Sequence, residues 1–206
     1  MLLTEYRPFN INKQLAEEAI KKNKPLIVSG VIQRAEAKNQ NERVYPRDVL
    51  EREIERYVEG TVKEKRAMGE LDHPESSVIN LQNVSHNITK CWWEGDDVMG
   101  EFEILSTPAG NILKALFAAG LTIGVSSRGM GSVKELSEGT LEVEDDFELL
   151  CWDFVSTPST HGAYVAPVNV NVNINESKIQ SPKFKYTNVN NIIRDIICDN
   201  TGMCKC

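Results

Sequence analysis

The sequence predicts a mainly β, α+β fold: an antiparallel sheet or barrel carrying two or three helices. Three observations predict it. Two alternating apolar runs, Val84 to Trp93 and Val98 to Leu105, flank Glu94-Gly95-Asp96-Asp97 in the manner of a β-hairpin. Two further strand-like runs, 121–136 and 140–156, are joined by only Ser137-Glu138-Gly139. Helical spacing is confined to a few short stretches, so strands adjacent in sequence pair directly, unlike the strands of a doubly wound sheet.

Taken in order, residues 1–24 form a lead-in in which Ile11, Leu15, Ala16 and Ile20 have helical spacing. Leu26 to Ile32 is rich in β-branched residues and reads as a strand, and Lys38 to Arg43 is a polar loop. A helix is predicted over 47–58, because Pro46 suits a helix start and Leu50, Ile54, Tyr57 and Val58 make one apolar face. Gly60 is its expected stop. After the hairpin, Thr107-Pro108 opens a short helix whose buried face is Ile112, Leu113, Leu116 and Phe117, with Gly120 as its end. Thr157-Pro158-Ser159-Thr160 ends the second long strand, and a last strand spans Ala163 to Val168. Composition then shifts. Residues 168–176 alternate apolar residues with Asn, as an edge strand or an extended linker would, and 177–190 are polar and basic. Ile192, Ile193, Ile196 and Ile197 could make one face of a short helix. The chain therefore reads as a body over 1–168 and a tail over 169–206.

At 206 residues, 41% hydrophobic and 26% charged, the chain can bury a real core. A net charge of −7 with no basic stripe argues against direct nucleic-acid binding. No run approaches the roughly 20 apolar residues of a membrane span, and Met1-Leu2-Leu3 leads straight into Thr4-Glu5-Tyr6-Arg7 rather than a signal peptide's apolar core. A soluble intracellular protein is the expectation. Five Cys, an odd number, do not form a disulfide framework. Cys91 and Cys151 lie in apolar strand-like runs and are expected to be buried fillers. Cys198, Cys204 and Cys206 crowd the tail without a nearby His or a CxxC spacing, so no metal and no cofactor are expected.

Two motifs carry chemistry. Gly69-Glu70-Leu71-Asp72-His73-Pro74 places a His in a loop stopped by Pro, and Gly124-Val125-Ser126-Ser127-Arg128-Gly129-Met130-Gly131 places two Ser in a glycine-rich turn after an apolar run. A Ser hydroxyl needs a base to take its proton, and His is the usual base near neutral pH. The pair points to acyl transfer, most simply peptide hydrolysis, with His73 as general base. Ser126 and Ser127 point to opposite faces if the segment is a strand, so only one can meet His73, and the residues alone do not choose. Backbone N–H groups of such a turn can form an oxyanion hole, and Arg128 could polarise or position that site through its fixed fork of donors. Asp153, inside the apolar run Leu149 to Ser156, is the best candidate to orient the imidazole, since an acid there is costly unless paired. His161 and His86 are alternatives, His86 being the more surface-like. Two other hydrolase classes are disfavoured: the elbow Gly-x-Ser-x-Gly is absent, and so is HExxH.

These segments, together with Trp92-Trp93, Trp152-Asp153-Phe154-Val155-Ser156-Thr157-Pro158-Ser159 and the stretch from Asn39 to Arg43-Val44-Tyr45-Pro46, resemble the prohead core proteases of T-even-type tailed phages over about residues 26–168. The resemblance implies a serine endopeptidase of the capsid-maturation type, with an antiparallel β-barrel surrounded by a few helices, related in fold to herpesvirus assemblins. It implies His73 as the family's His, Ser126 rather than Ser127 as nucleophile, and Asp153 where related proteases carry an acid, although assemblins use a second His. Ser127, Arg128 and Gly129 become oxyanion and supporting residues. It also implies action inside the assembling prohead, in the host cytoplasm, on scaffold or core proteins, on the major capsid protein and on the enzyme itself; a homo-oligomer is expected. The family cleaves after Glu in patterns such as Leu/Ile-x-Glu, and Ile174-Asn175-Glu176 stands where body gives way to tail. Self-cleavage between Glu176 and Ser177 is the resulting expectation, though Leu3-Thr4-Glu5, Leu15-Ala16-Glu17 and Leu136-Ser137-Glu138 match as well. The rival reading is a non-catalytic scaffold- or capsid-binding assembly protein of the same fold.

Overall fold

The structure, a computed structural model, describes residues 12–22, 24–136 and 139–168. The proposals for 168–176 as a strand, for the helix at 192–197, for the Cys-rich end and for the junction at Glu176 fall wholly or almost wholly outside these residues. Seven strands form one sheet in the order β3-β4-β5-β1-β10-β6-β9, and three short ones form a second in the order β2-β8-β7. In chain order the elements are α1 (Lys13–Lys21), β1 (Leu26–Arg34), β2 (Arg43–Val44), α2 (Arg47–Tyr57), β3 (Met68–Glu70), β4 (Val84–Glu94), β5 (Asp97–Ile104), α3 (Pro108–Ala118), β6 (Ile123–Met130), β7 (Val133–Glu135), β8 (Leu141–Val143), β9 (Glu148–Val155) and β10 (Tyr164–Pro167).

The large sheet nearly closes into a barrel. All its ladders are antiparallel. Its two ends meet where Leu71, just past β3, bridges Phe154 of β9 in a parallel sense, and the Asp72 N–H donates to the Phe154 carbonyl at 2.8 Å. The expected hairpin is β4–β5, turning at Gly95-Asp96 with Glu94 opposite Asp97. The barrel interior holds Val28, Ile32, Ile88, Phe102, Val125, Trp152, Phe154 and Val165, all 0% exposed. Phe154 anchors it, with edge or tilted contacts to His86, Phe102 and Phe117 at 4.5–6.2 Å between ring centres.

The helices cover the barrel, with some departures from the predicted faces. On α1 the buried residues are Ala16 and Ala19, while Ile20 is exposed. Small side chains are what permit α1 to lie close. On α3, Leu113 and Phe117 are buried but Ile112 faces solvent. Thr107 caps α3, its hydroxyl accepting the Gly110 N–H at 3.1 Å. Gly120 ends it as predicted: its φ of 78° lets its N–H reach the Phe117 carbonyl while the Leu121 N–H returns to Leu116. Gly60 does not stop α2. The helix loosens instead into one π turn over Val58–Val62 that contains it.

The two long strands predicted at 121–136 and 140–156 are each broken in the middle. Gly131-Ser132 splits the first into β6 and β7, and Glu144–Phe147 splits the second into β8 and β9. Asp146 holds the break together by accepting from the Ser132 N–H and hydroxyl at 2.7 Å each. The distal halves peel away to form the small sheet, where β8 pairs β7 antiparallel and β2 parallel. Among the described residues no helix is long and apolar enough to cross a membrane.

Candidate active site

β9 organises the site because it carries a carboxylate into the barrel wall. Asp153 is 0% exposed, which would be prohibitive for a lone charge. Its oxygens are therefore taken up from three directions. Oδ1 accepts the Glu70 backbone N–H at 2.9 Å and Arg128 Nη2 at 3.1 Å. Oδ2 lies 2.8 Å from His73 Nδ1 and 3.0 Å from Arg128 Nε. The Nε contact is an ion pair without hydrogen-bond alignment. Burial alone would raise the Asp153 pKa; the bond from His73, the Glu70 N–H and the Arg128 charge outweigh it and hold the carboxyl below its ordinary 3.8.

The loop bearing His73 is delivered by the barrel closure. After β3 the chain bridges Phe154 at Leu71, and Asp72 turns through a left-handed φ of 65°, which Asp tolerates better than most residues. His73 then lands on Asp153. Because the carboxylate can only accept, Nδ1 is the donor, and the neutral ring presents Nε2 as its base. Asp72 itself is exposed and makes its contact through the backbone.

Arg128 is the second support. Its side chain is 9% exposed, so its ion pairs are not solvated surface bridges. Nη2 also reaches Glu70 Oε1 at 3.1 Å, and Nη1 donates to the Ser76 carbonyl at 2.6 Å, tying down the loop that follows His73. Burial opposes the guanidinium charge, but the neighbouring carboxylates keep its pKa above the ordinary value. With its fork engaged in this way, Arg128 acts on the site through Asp153 and Glu70.

Ser126 sits on β6 directly opposite Asp153 in the β6–β9 register and is 4% exposed. Its Oγ lies 3.0 Å from Ser159 Oγ, and it is Ser159 rather than His73 that it bonds. Ser126, Ser127, Arg128, Gly129 and His73 all line one cleft of about 790 Å³. A further part of its wall comes from Gln40, Asn41, Arg43 and Tyr45, and Thr157, Pro158 and Ser159 line it too. That wall is fixed locally. Asn39 Oδ1 accepts the N–H groups of Asn41 and Arg43, while Gln40 donates from its backbone to the Ser159 carbonyl and from its side chain to the Pro158 carbonyl, both at 2.9 Å.

His86 is not a surface residue. It is 0% exposed inside the barrel, away from the cleft lining. Its Nε2 donates to the Trp152 carbonyl at 2.9 Å, so Nδ1 accepts from the Ser85 hydroxyl. Burial pushes its pKa down to about 4. The alternation that suggested an exposed position in β4 fails because the start of this strand is buried on both faces, with Val84, Ser85 and His86 all at most 3% exposed and α3 packed against it. His161 is exposed and does not line the cleft. Cys151 is fully buried, and burial lifts its thiol pKa to about 12, so it stays a thiol. Cys91 is only half-buried as a residue, yet burial of its thiol likewise raises it to about 12. Among the described residues no cluster of His, Cys, Asp or Glu could hold a metal.

Two residues of the site had no role in the sequence reading. Glu70 was visible beside His73, but only the fold buries it and sets it on Arg128 and on the Asn80 N–H at 3.0 Å. Ser159 lies in the Thr157-Pro158-Ser159 segment, where nothing local marks it as a neighbour of Ser126.

The family described as prohead core protein serine protease matches residues 6–177. The prohead core protein protease of Enterobacteria phage T4 is 35% identical over 148 residues, 70% of each chain. The solved structure of the bacteriophage T4 capsid assembly protease, gp21, aligns with a TM-score of 0.63 at 34% identity, covering 65% of this chain and 84% of that one. A non-catalytic assembly protein is set aside by these matches: the chain is a serine-type peptidase and belongs to the prohead core protein serine protease family.

Proposed function

We propose that this chain is the endopeptidase of capsid maturation in its own phage, acting within the assembling prohead on scaffold or core proteins, on the major capsid protein and on itself, and working as a homo-oligomer. Ser126 is the nucleophile, His73 the general base and Asp153 the orienting acid. The observation that carries the reading is the His73–Asp153 bond at 2.8 Å on the cleft that Ser126 lines. His73 Nε2 takes the Ser126 proton as Oγ attacks the scissile carbonyl, and returns it to the leaving amine; Asp153 stabilises the imidazolium in between. Ser127, Arg128 and Gly129 form the oxyanion and supporting wall, Arg128 through its hold on Asp153. The protease domain spans 1–168, the tail 169–206, and cleavage between Glu176 and Ser177 releases residues 177–206 of that tail. The family match ends at residue 177, beside that junction.

Intact mass after parallel expression of wild type, Ser126→Ala and Ser127→Ala tests this. Wild type is expected to lose residues 177–206 while Ser126→Ala alone stays whole. A whole Ser127→Ala chain beside a processed Ser126→Ala chain overturns the nucleophile, and cleavage that leaves 177–206 attached overturns the junction.

A further inference from the structure

Ser126 touches a hydroxyl to which the mechanism gives no role. Ser159 Oγ lies 3.0 Å from Ser126 Oγ, and neither oxygen has another partner among the described residues. Ser159 stands past the end of β9, and the fold fixes it there from two sides. Pro158 is buried and packs over Gly124, where a Cβ would stand 2.6 Å from its ring. Gly124 and Ser126 share one face of β6, being two residues apart. From the other side Gln40 holds the turn with both of its nitrogens. Its backbone N–H donates to the Ser159 carbonyl and its Nε2 to the Pro158 carbonyl, each at 2.9 Å. The Ser159 hydroxyl is therefore set beside Ser126 in the free protein, on the cleft that both residues line.

Proton accounting gives the bond a direction. Each hydroxyl has one proton to donate and two lone pairs to accept with. Were Ser126 the donor, its proton would be committed to Ser159 and withheld from His73 Nε2. With Ser159 as donor, the Ser126 proton stays free for Nε2, and every group in the site has a use. The result is one chain: Ser159 O–H to Ser126 O–H to His73 Nε2, continued through Nδ1 to Asp153 at 2.8 Å. Hydrogen bonds aligned in this way polarise one another. Ser126 is not bonded to His73 in the free protein, and such a contact commonly tightens only when substrate is present.

We propose that Ser159 is a further catalytic residue, whose hydroxyl donates to Ser126 Oγ and stabilises the negative charge that gathers on that oxygen. This rests on Ser126 being the nucleophile and His73 its base. The charge appears twice. In acylation His73 Nε2 takes the Ser126 proton while Oγ bonds the scissile carbonyl carbon; one lone pair attacks and another accepts from Ser159. In deacylation a water gives its proton to Nε2 and its oxygen bonds the acyl carbon. The carbon–Oγ bond then breaks, and Oγ leaves with the electron pair, held by Ser159 until His73 returns the proton. Ser159 keeps its own proton throughout, so no further acid or base is needed. A donor already in place at the site of developing charge needs no reorganisation during the reaction.

The test is the rate at which an organofluorophosphonate labels Ser126 in the full-length chain, followed across the titration of His73. This reagent needs the nucleophile and its base but no peptide subsite. Ser159→Ala is expected to label about tenfold or more slowly at every pH, with the midpoint of the profile and the melting temperature unmoved. Ser159→Thr keeps the hydroxyl and should stay within about threefold of wild type. A Ser159→Ala chain that labels as fast as wild type overturns the proposal. Faster labelling overturns it too and makes the contact a restraint on the nucleophile. Slow labelling that Ser159→Thr does not restore reduces Ser159 to a part of the turn's shape, which also overturns it. A wild-type chain that carries no label on Ser126, as read by peptide mapping, overturns the nucleophile and this proposal together, an outcome distinct from the other three.

Discussion

His73 and Asp153 are joined by a 2.8 Å contact between an imidazole that is 38% exposed and a carboxylate that is wholly buried. His73 stands in the cleft while Asp153 is held in the barrel wall. Asp153→Asn would keep most of the shape but can present an N–H to Nδ1, favouring the wrong tautomer. Peptide cleavage is expected to fall by about 10³–10⁴ in kcat with KM little changed. Steady-state kinetics alongside near-UV circular dichroism check it; unchanged kcat in a folded protein removes Asp153 from the mechanism.

Arg128 neutralises two acids that are no more than 1% exposed, Glu70 and Asp153. Arg128→Met leaves both without a cation, and breaking a buried pair in this way costs about 3–5 kcal/mol. Urea unfolding at neutral pH should show the loss. Glu70→Gln in the same background should recover part of it, because one of the stranded charges is gone.

Gly69 lies where β3 closes on β9, and a Cβ there would collide with the Trp152 carbonyl and the His86 ring. Backbone and a locked ring cannot yield cheaply. Gly69→Ala is expected to destabilise the fold by about 1–3 kcal/mol and to lower cleavage as well, since the same closure delivers His73. Thermal unfolding and activity, measured on one preparation, should drop together.

His86 is buried neutral, with a pKa of about 4 against an ordinary 6.5. The unfolded chain takes up a proton there below pH 6.5 that the folded chain refuses until about 4. Stability is thus complete above this window and declines as pH falls through it, by about 3 kcal/mol at about 1.4 kcal/mol per unit. His86→Gln, which can still donate to the Trp152 carbonyl, should flatten unfolding free energy between pH 6.5 and 4.5. An equally steep dependence in the variant would show that other groups carry it.

Arg43 lines the cleft and makes no ion pair among the described residues, while no carboxylate lines the cleft with it. A substrate acid is the natural complement. Arg43 is exposed, so Arg43→Ala is expected to lower kcat/KM for a peptide carrying Glu176 by at most about fivefold, the upper end for a solvated charged pair. A peptide with Gln in place of Glu176 should be insensitive to the same substitution.

Much of the fold was legible because its signals are local. The β4–β5 hairpin follows from alternation around a short turn, and α3 from a Thr cap, a Pro and a terminal glycine. What misled was equally local. Ile20 and Ile112 have the spacing of a buried face but lie at its margin, and His86 alternates like a surface residue on a strand covered from both sides. The breaks at Gly131 and at Glu144–Phe147 depend on Asp146 reaching across to Ser132, a contact between segments that neither segment announces.

The sequence by itself determined the inventory of the candidate site: one His in a Pro-stopped loop, a Ser pair in a glycine-rich strand, and an acid in an apolar run. Hydrophobic patterning and the cost of an unpaired buried charge are enough to single these out. The tertiary structure alone decided their assembly. Closing β3 against β9 sets His73 and the Glu70 N–H on Asp153, and the β6–β9 register sets Ser126 opposite it. Those relations join residues tens of positions apart in the chain, and their geometry is fixed by ladder register and barrel closure, which no single segment encodes.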